Sequence, residues 1–250
     1  MGQTDARVRR SGLTPFAKGN AAMTQSAIKD AAIVIAIRNP RTHPAVLMGQ
    51  RSSDAAFMPD KFVFPGGAVD NRDEHVGFAT GLSEPCKSRL GANAGPCTPN
   101  ALAAAAIREL SEETGLLLGQ AGAWHAPAAQ NWTGFAAKHI VPTAAPLHFV
   151  FRAETPPGRT RRFDARFFLC DAAHIHGDLD DFSNADAELS NIQWVPVAQA
   201  KSLNIAFITQ VVLAEIAANL PEIGPPDTVP YFRNADEQAL FERIGRPMKA

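Results

Sequence analysis

The stretch TPNALAAAAIRELSEETG, Thr98 to Gly115, constrains this chain more than any other. Thr98 is a good N-cap, Pro99 suits the first helical position, and Gly115 suits the left-handed residue that closes a helix, so the spacing predicts a helix from Asn100 to Thr114. At 3.6 residues per turn, Ala103, Ile107, Leu110 and Thr114 fall on one side, while Glu109, Glu112 and Glu113 gather on the other. One side must pack. The other crowds three carboxylates, which destabilises a helix by roughly 0.2–0.5 kcal/mol per pair. A solvated acidic face would tolerate that repulsion, and a bound cation would remove it. Hard divalent ions take oxygen ligands, magnesium using a few carboxylates together with water and phosphate oxygens. Arg108, one residue before Glu109 and four before Glu112, is placed to hold a carboxylate rotamer from behind.

Around this helix the pattern is that of alternating strands and helices. AAIVIAIR from Ala31 is a β-branched run typical of a buried strand, AVLMGQRS after the turn at Asn39-Pro40 is a second, and KFVF, ending at Pro65-Gly66-Gly67, is a third. LHFVF at Leu147 to Phe151 and ARFFLC at Ala165 to Cys170 read as a further antiparallel pair flanking the basic Pro-Gly connection at Thr155 to Arg162. QWVPV near Trp194 is a last short strand, and Asn204 to Leu220 an amphipathic helix stopped by Pro221. That order predicts an α/β fold with a mixed sheet packed between helices. Residues 71–98 are rich in Gly, Asn, Pro and Ser without sustained periodicity and read as an insertion. The polar residues 1–27 read as a flexible tail, with Met23 a second candidate start, residues 28–230 as one domain, and 231–250 as a C-terminal extension.

Several function classes drop out on composition. The net charge of −1 gives no global field to draw the chain to nucleic acid, so phosphate binding has to be local. No apolar run reaches the roughly 20 residues of a membrane span, and three cysteines are too few for a disulfide framework, which together predict a cytoplasmic protein. His174 and His176 alternate as on a strand, but no Cys or third His accompanies them as a transition-metal site would need. Trp124, Trp132 and Phe135 are open to two readings, stacking on a base or packing in the core.

RELSEETGL at Arg108 to Leu116 reproduces the consensus of the Nudix hydrolases: Arg-Glu, an aliphatic, any residue, Glu-Glu, any residue, Gly and an aliphatic. Average residue frequencies put a chance match in a chain this long at about one in 10⁵. FPGGAVD at Phe64 to Asp70 resembles the family's strand and glycine turn before the catalytic helix. The resemblance implies a Nudix-type α/β/α sandwich that cleaves the diphosphate linkage of a nucleoside diphosphate derivative with Mg2+ or Mn2+. It places the metal on Glu109, Glu112 and Glu113 with a backbone carbonyl of Gly66 or Gly67, supported by Arg108. In this family the general base is a box glutamate or an acid from a later loop, which makes Glu188, just before QWVPV, the candidate and Asp186 its competitor. Arg51, Arg161 and Arg162 are candidates to clamp the diphosphate, since guanidinium pairs with phosphate oxygens. The partner is then a small nucleotide-type substrate, and a homodimer is compatible with the sequence.

The family's box runs from a glycine through five residues to a glutamate, then seven residues to the arginine. Here position six after Gly67 is Asp73, and 34 residues separate it from Arg108, while Asn100 stands eight before Arg108; the box glutamate is missing or displaced. A branch of the family fills this gap with a long insert, and RRFDARFFL at Arg161 to Leu169 and PPDTVP after the last long helix resemble that branch too. The tryptophan that the branch carries shortly before a Thr-Pro pair has no counterpart, and Ala165 stands for its usual threonine. Because the branch includes enzymes acting on coenzyme A and acyl-coenzyme A, those are the leading substrates. ADP-ribose, nucleotide sugars, dinucleoside polyphosphates and a non-catalytic nucleotide sensor are the alternatives.

Overall fold

A computed structural model describes residues 27–92, 95, 97–124, 129–235 and 238–245; the tail read over 1–27, Met23 included, lies outside the described residues except for Ala27. The chain opens with β1 (Ile28–Arg38), β2 (Ala45–Arg51), β3 (Phe62–Val63) and β4 (Gly66–Ala68). Helices α1 (Glu84–Gly91) and α2 (Pro99–Thr114) follow, then β5 (Leu117–Ala121), α3 (Thr133–Ala137), β6 (Ile140–Pro142), β7 (His148–Glu154) and β8 (Arg162–Asp171). The chain continues through β9 (Ile175–His176), β10 (Leu189–Pro196), α4 (Phe207–Asn219) and the pair β11 (Val229–Ala235) and β12 (Gln238–Ile244).

The main sheet runs β10-β2-β1-β8-β7-β11-β12, with β3 on β2 and β4 on β1. It is mixed, as expected: β1 is parallel to β8 and β7 to β11, while β7–β8, β1–β2 and β2–β10 are antiparallel. A smaller sheet joins β6, β5 and β9. Residues Val34 to Ile37 are 0% exposed because β1 is covered on both faces, which is what an unbroken apolar run requires. Ala32, Val34 and Ala36 face α2 with Phe168 and Cys170, whereas Ala31, Ile35 and Ile37 face α4 with Val212, Leu213 and Ile216. The layers are therefore helix, sheet, helix.

The helix α2 has the ends its sequence predicts. The Thr98 side chain accepts the Ala101 amide at 3.1 Å, and Gly115 closes the helix at φ 75°. Thr98→Ala should cost about 1 kcal/mol, read as a lower urea midpoint with an unchanged slope; an unchanged midpoint would show that the cap contributes nothing. Ala103, Ile107, Leu110 and Thr114 are 0% exposed, as their common face requires. The alanines from 101 to 106 are also buried, so α2 lies close against its surroundings on more than one side.

Two segments carry more structure than their composition suggests. The insertion holds a 3₁₀ turn at Asp73–His75 and the helix α1, whose Cys86 and Leu90, with Leu82 just before it, enter the core. Its two ends are tied together, since the Asn100 amide donates to the carbonyls of Glu74 and Val76 at 3.1 and 3.2 Å. The sheet also runs beyond residue 230, where the extension was read to begin, because Tyr231 is buried and pairs with Arg152 on β7.

RRFDARFFL supplies a buried charge network on the α2 face of the sheet. Arg166, 2% exposed, bonds Asp30 and lies beside Asp164, and Arg152 grips both oxygens of Asp164 at 2.9 and 2.6 Å. Arg152 also stacks 4.4 Å over the Tyr231 ring, whose hydroxyl bonds Glu154. Trp132 and Phe135 are core residues, 4% and 0% exposed, and the Trp124 indole donates to the Ile140 carbonyl at 2.7 Å. Packing is the reading that holds for all three.

Candidate active site

Strand β4 brings the glycine turn to the helix. It pairs with β1 through Ala31, Ala32 and Ile33, and the Val34 amide donates to the Pro65 carbonyl at 2.8 Å. This leaves Gly66 and Gly67 against the last turns of α2. A Cβ on Gly67 would sit 2.5 Å from the Glu109 carboxylate, so only glycine lets this acid lie on the strand. The Gly66 amide donates to one oxygen of Glu113 at 2.7 Å.

The carboxylate face of α2 is not a solvated one. Glu113 is 1% exposed, and its Oε1 is buried without a partner; the Glu109 side chain is 13% exposed and that of Glu112 31%. Burial, opposed by Arg108 and aided by Glu112 and Glu188, raises the Glu109 carboxyl to about 7. Burial lifts Glu113 well above the usual carboxylate range, with the Gly66 amide opposing and Glu109 and Glu188 adding to the rise.

Arg108 holds the cluster from behind. Its guanidinium grips Asp73 at 3.0 and 3.0 Å, reaches the Ala68 carbonyl at 3.0 Å, and donates through Nη1 to Glu109 and Glu112, each at 2.8 Å. Burial opposes its charge, yet Asp73 and Glu109 raise its pKa further. Asp73, 1% exposed, therefore pairs with the arginine from the position six residues after Gly67. The position where the resemblance asks for a glutamate thus holds an aspartate that the folding-back of the insertion carries to Arg108. The register after Gly67 was the signal for it. Asn131 had none: its amide donates to Glu112 Oε1 at 2.8 Å from a turn with no periodic pattern.

Arg51 and Glu188 meet at the site's rim, because β2 and β10 pair Arg51 with Leu189. Arg51 Nη2 donates to Glu188 Oε1 at 2.9 Å, while its Nε is buried without a partner. Glu188 is close enough to raise the pKa of both buried glutamates. Asp186 serves the loop instead: its amide donates to the Glu112 carbonyl and its side chain accepts the Glu188 amide, both at 2.8 Å. Arg161 is exposed and Arg162 donates to the Thr155 carbonyl at 3.2 Å; among the described residues neither bonds to the carboxylate cluster.

These residues fit a hard divalent ion. Glu113 has a buried oxygen without a partner, Glu109 lies on a strand that only glycine keeps open, and all the donors are oxygens. As they stand, no three acidic, His or Cys side chains among the described residues converge on one point. Magnesium needs no more than one or two carboxylates beside water and phosphate, so Glu109, Glu113 and a carbonyl of Gly66 or Gly67 suffice.

A carboxyl whose folded pKa is raised gives stability that is complete below its unfolded pKa and is lost as pH rises through the folded one. Metal-free protein should therefore lose stability relative to Glu109→Gln between pH 4.5 and about 7, by about 3 kcal/mol at most from this group. Urea unfolding in chelator across that range measures it, and parallel curves for the two proteins would sink the idea.

No protein-family model matches the chain, and no curated protein does. Among solved structures, the chain is similar to a NUDIX hydrolase from Alicyclobacillus acidocaldarius, with 28% identity over 80% of this chain and 99% of that one and a TM-score of 0.55. Other matches are a MutT protein from Bacillus halodurans, with 12% identity over 88% and 100% of the two chains and a TM-score of 0.44, and the NUDIX domain of Shewanella oneidensis NrtR complexed with ADP ribose, with 14% identity over 77% and 88% and a TM-score of 0.41. The mixed sheet between helices and the likeness to the Alicyclobacillus NUDIX hydrolase give this chain the Nudix fold.

Proposed function

We propose that the chain hydrolyses the diphosphate linkage of a nucleoside diphosphate derivative with magnesium or manganese, coenzyme A and its acyl esters being the leading substrates. The observation that carries this reading is the pair Glu109 and Glu113, buried against Gly66 and Gly67 with a Glu113 oxygen left unpartnered. Such an arrangement costs stability unless a cation completes it. Glu109, Glu113 and a glycine carbonyl would hold the ion, which when bound supplies neutralisation of the diphosphate and activation of water. Arg51 offers its guanidinium to phosphate oxygens, leaving its pair with Glu188. Glu188, so released, accepts the proton of the attacking water as the oxygen bonds to phosphorus. The bridging P–O bond breaks, and its electron pair leaves with the second phosphate. Arg108, tied to Asp73, keeps Glu109 in place.

The preference for coenzyme A rests on the resemblance of the insertion and of RRFDARFFL to the insert-bearing branch. A panel of coenzyme A, acyl-coenzyme A, ADP-ribose, a nucleotide sugar and diadenosine compounds with Mg2+ or Mn2+ tests it. Adenosine 3′,5′-bisphosphate and phosphopantetheine are the expected products. Turnover of another member alone would move the substrate assignment, and tight binding of a nucleotide without turnover of any would make the protein a sensor.

A further inference from the structure

Glu112 differs from its two neighbours in having both oxygens engaged by the protein. Arg108 Nη1 donates to Oε2 and the Asn131 amide to Oε1, each at 2.8 Å. The two donors come from different elements, α2 itself and the 3₁₀ turn Gln130–Trp132, which the buried Trp132 anchors in the core. Glu112 is also the most exposed of the three side chains, and it does not converge with Glu109 and Glu113 on a common point.

We propose that Asn131 is a positioning residue that holds Glu112 in reserve: the site takes one divalent ion on Glu109 and Glu113, and a second is admitted only when the Asn131 amide lets Glu112 go. The physical reason is competition. A hydrogen bond to a carboxylate is stronger than one between neutral groups, and an ion approaching Glu112 has to turn the side chain away from that donor. A substrate phosphate offers the amide another acceptor, so the same event that delivers phosphate oxygens frees the carboxylate.

This inference rests on the proposed metal-dependent reading, and Mn2+ titration without substrate, followed by electron paramagnetic resonance, separates the two. Wild type should bind one ion tightly. Asn131→Ala should bind a second about tenfold more tightly than wild type does, and Asn131→Ala combined with Glu112→Gln should lose that gain. Asn131→Leu, with the same side-chain branching and without a donor, should behave as Asn131→Ala, and thermal unfolding of each metal-free variant verifies that the fold persists. An Asn131 variant that folds and still binds a single ion with unchanged affinity overturns the inference and leaves the proposed function standing, as does a wild type that already binds two ions alike. A wild type that binds no Mn2+ overturns both.

Discussion

Asp73→Ala is expected to destabilise the protein by about 3–5 kcal/mol, the cost of removing one partner from a buried ion pair. Arg108 is 6% exposed, and Asp73 meets two of its nitrogens. Of its remaining partners, Glu109 and Glu112 are held by Nη1, and the Ala68 carbonyl shares Nη2 with Asp73. Without Asp73 the arginine either stays buried with too little negative charge or swings out and releases both glutamates. Stability and turnover should fall together in the first case, and turnover more than stability in the second. Urea unfolding beside steady-state kinetics distinguishes them. Asp73→Asn keeps the shape without the charge and should lie between wild type and alanine. A loss below about 1 kcal/mol in the alanine variant would place Asp73 among ordinary surface pairs and remove it from the site.

Glu113→Gln is expected to abolish turnover while leaving the metal-free protein at least as stable near neutral pH. The change is isosteric, and the amide oxygen still accepts the Gly66 N–H that Glu113 now takes at 2.7 Å. What disappears is a charge that burial disfavours in the absence of a cation. Losing a metal ligand removes several kcal/mol of transition-state stabilisation, which amounts to about 10³-fold or more in rate. Opposite signs for activity and metal-free stability are the signature to seek. A variant that retains a tenth of the wild-type rate would show that Glu113 is structural, and the reaction would then have to be rebuilt around Glu109 and Glu112.

Local signals in the sequence reached far in this chain. Thr98 and Gly115 delimit α2 because capping is decided by a few adjacent residues, and the runs at Ala31, Ala45 and Ala165 became strands because their apolar pattern is continuous. The acidic face of α2 was also readable, though not its burial, since helical periodicity tells which residues share a side and not what covers it. The register after Gly67 marks Asp73 but not its contact with Arg108, 35 residues on, and nothing local marks Asn131, 19 residues from Glu112; such contacts are set by how the chain returns. Helix α1 leaves little trace in the sequence because its apolar residues are few and Gly and Pro stand in and around it. Arg161 and Arg162 are candidates by charge, and charge alone does not say which way a side chain on a turn faces.

The tied ends of the insertion have a consequence for how this protein can change. Asn100 bonds Glu74 and Val76 through its side chain at the place where the segment leaves and rejoins the frame, so the residues between form a closed loop that meets the rest of the fold through Leu82, Cys86 and Leu90 and through backbone bonds of Ala79 and Thr80 to Pro142 and Ala144. Lengthening a closed loop is cheap, about 0.6 kcal/mol for each doubling. Descendants of this chain can therefore lengthen, shorten or exchange the residues between those ends, provided that something fills the space of Leu82, Cys86 and Leu90. The chemistry is inherited as one unit and the segment beside it as another, and selection can act on the second without reopening the first.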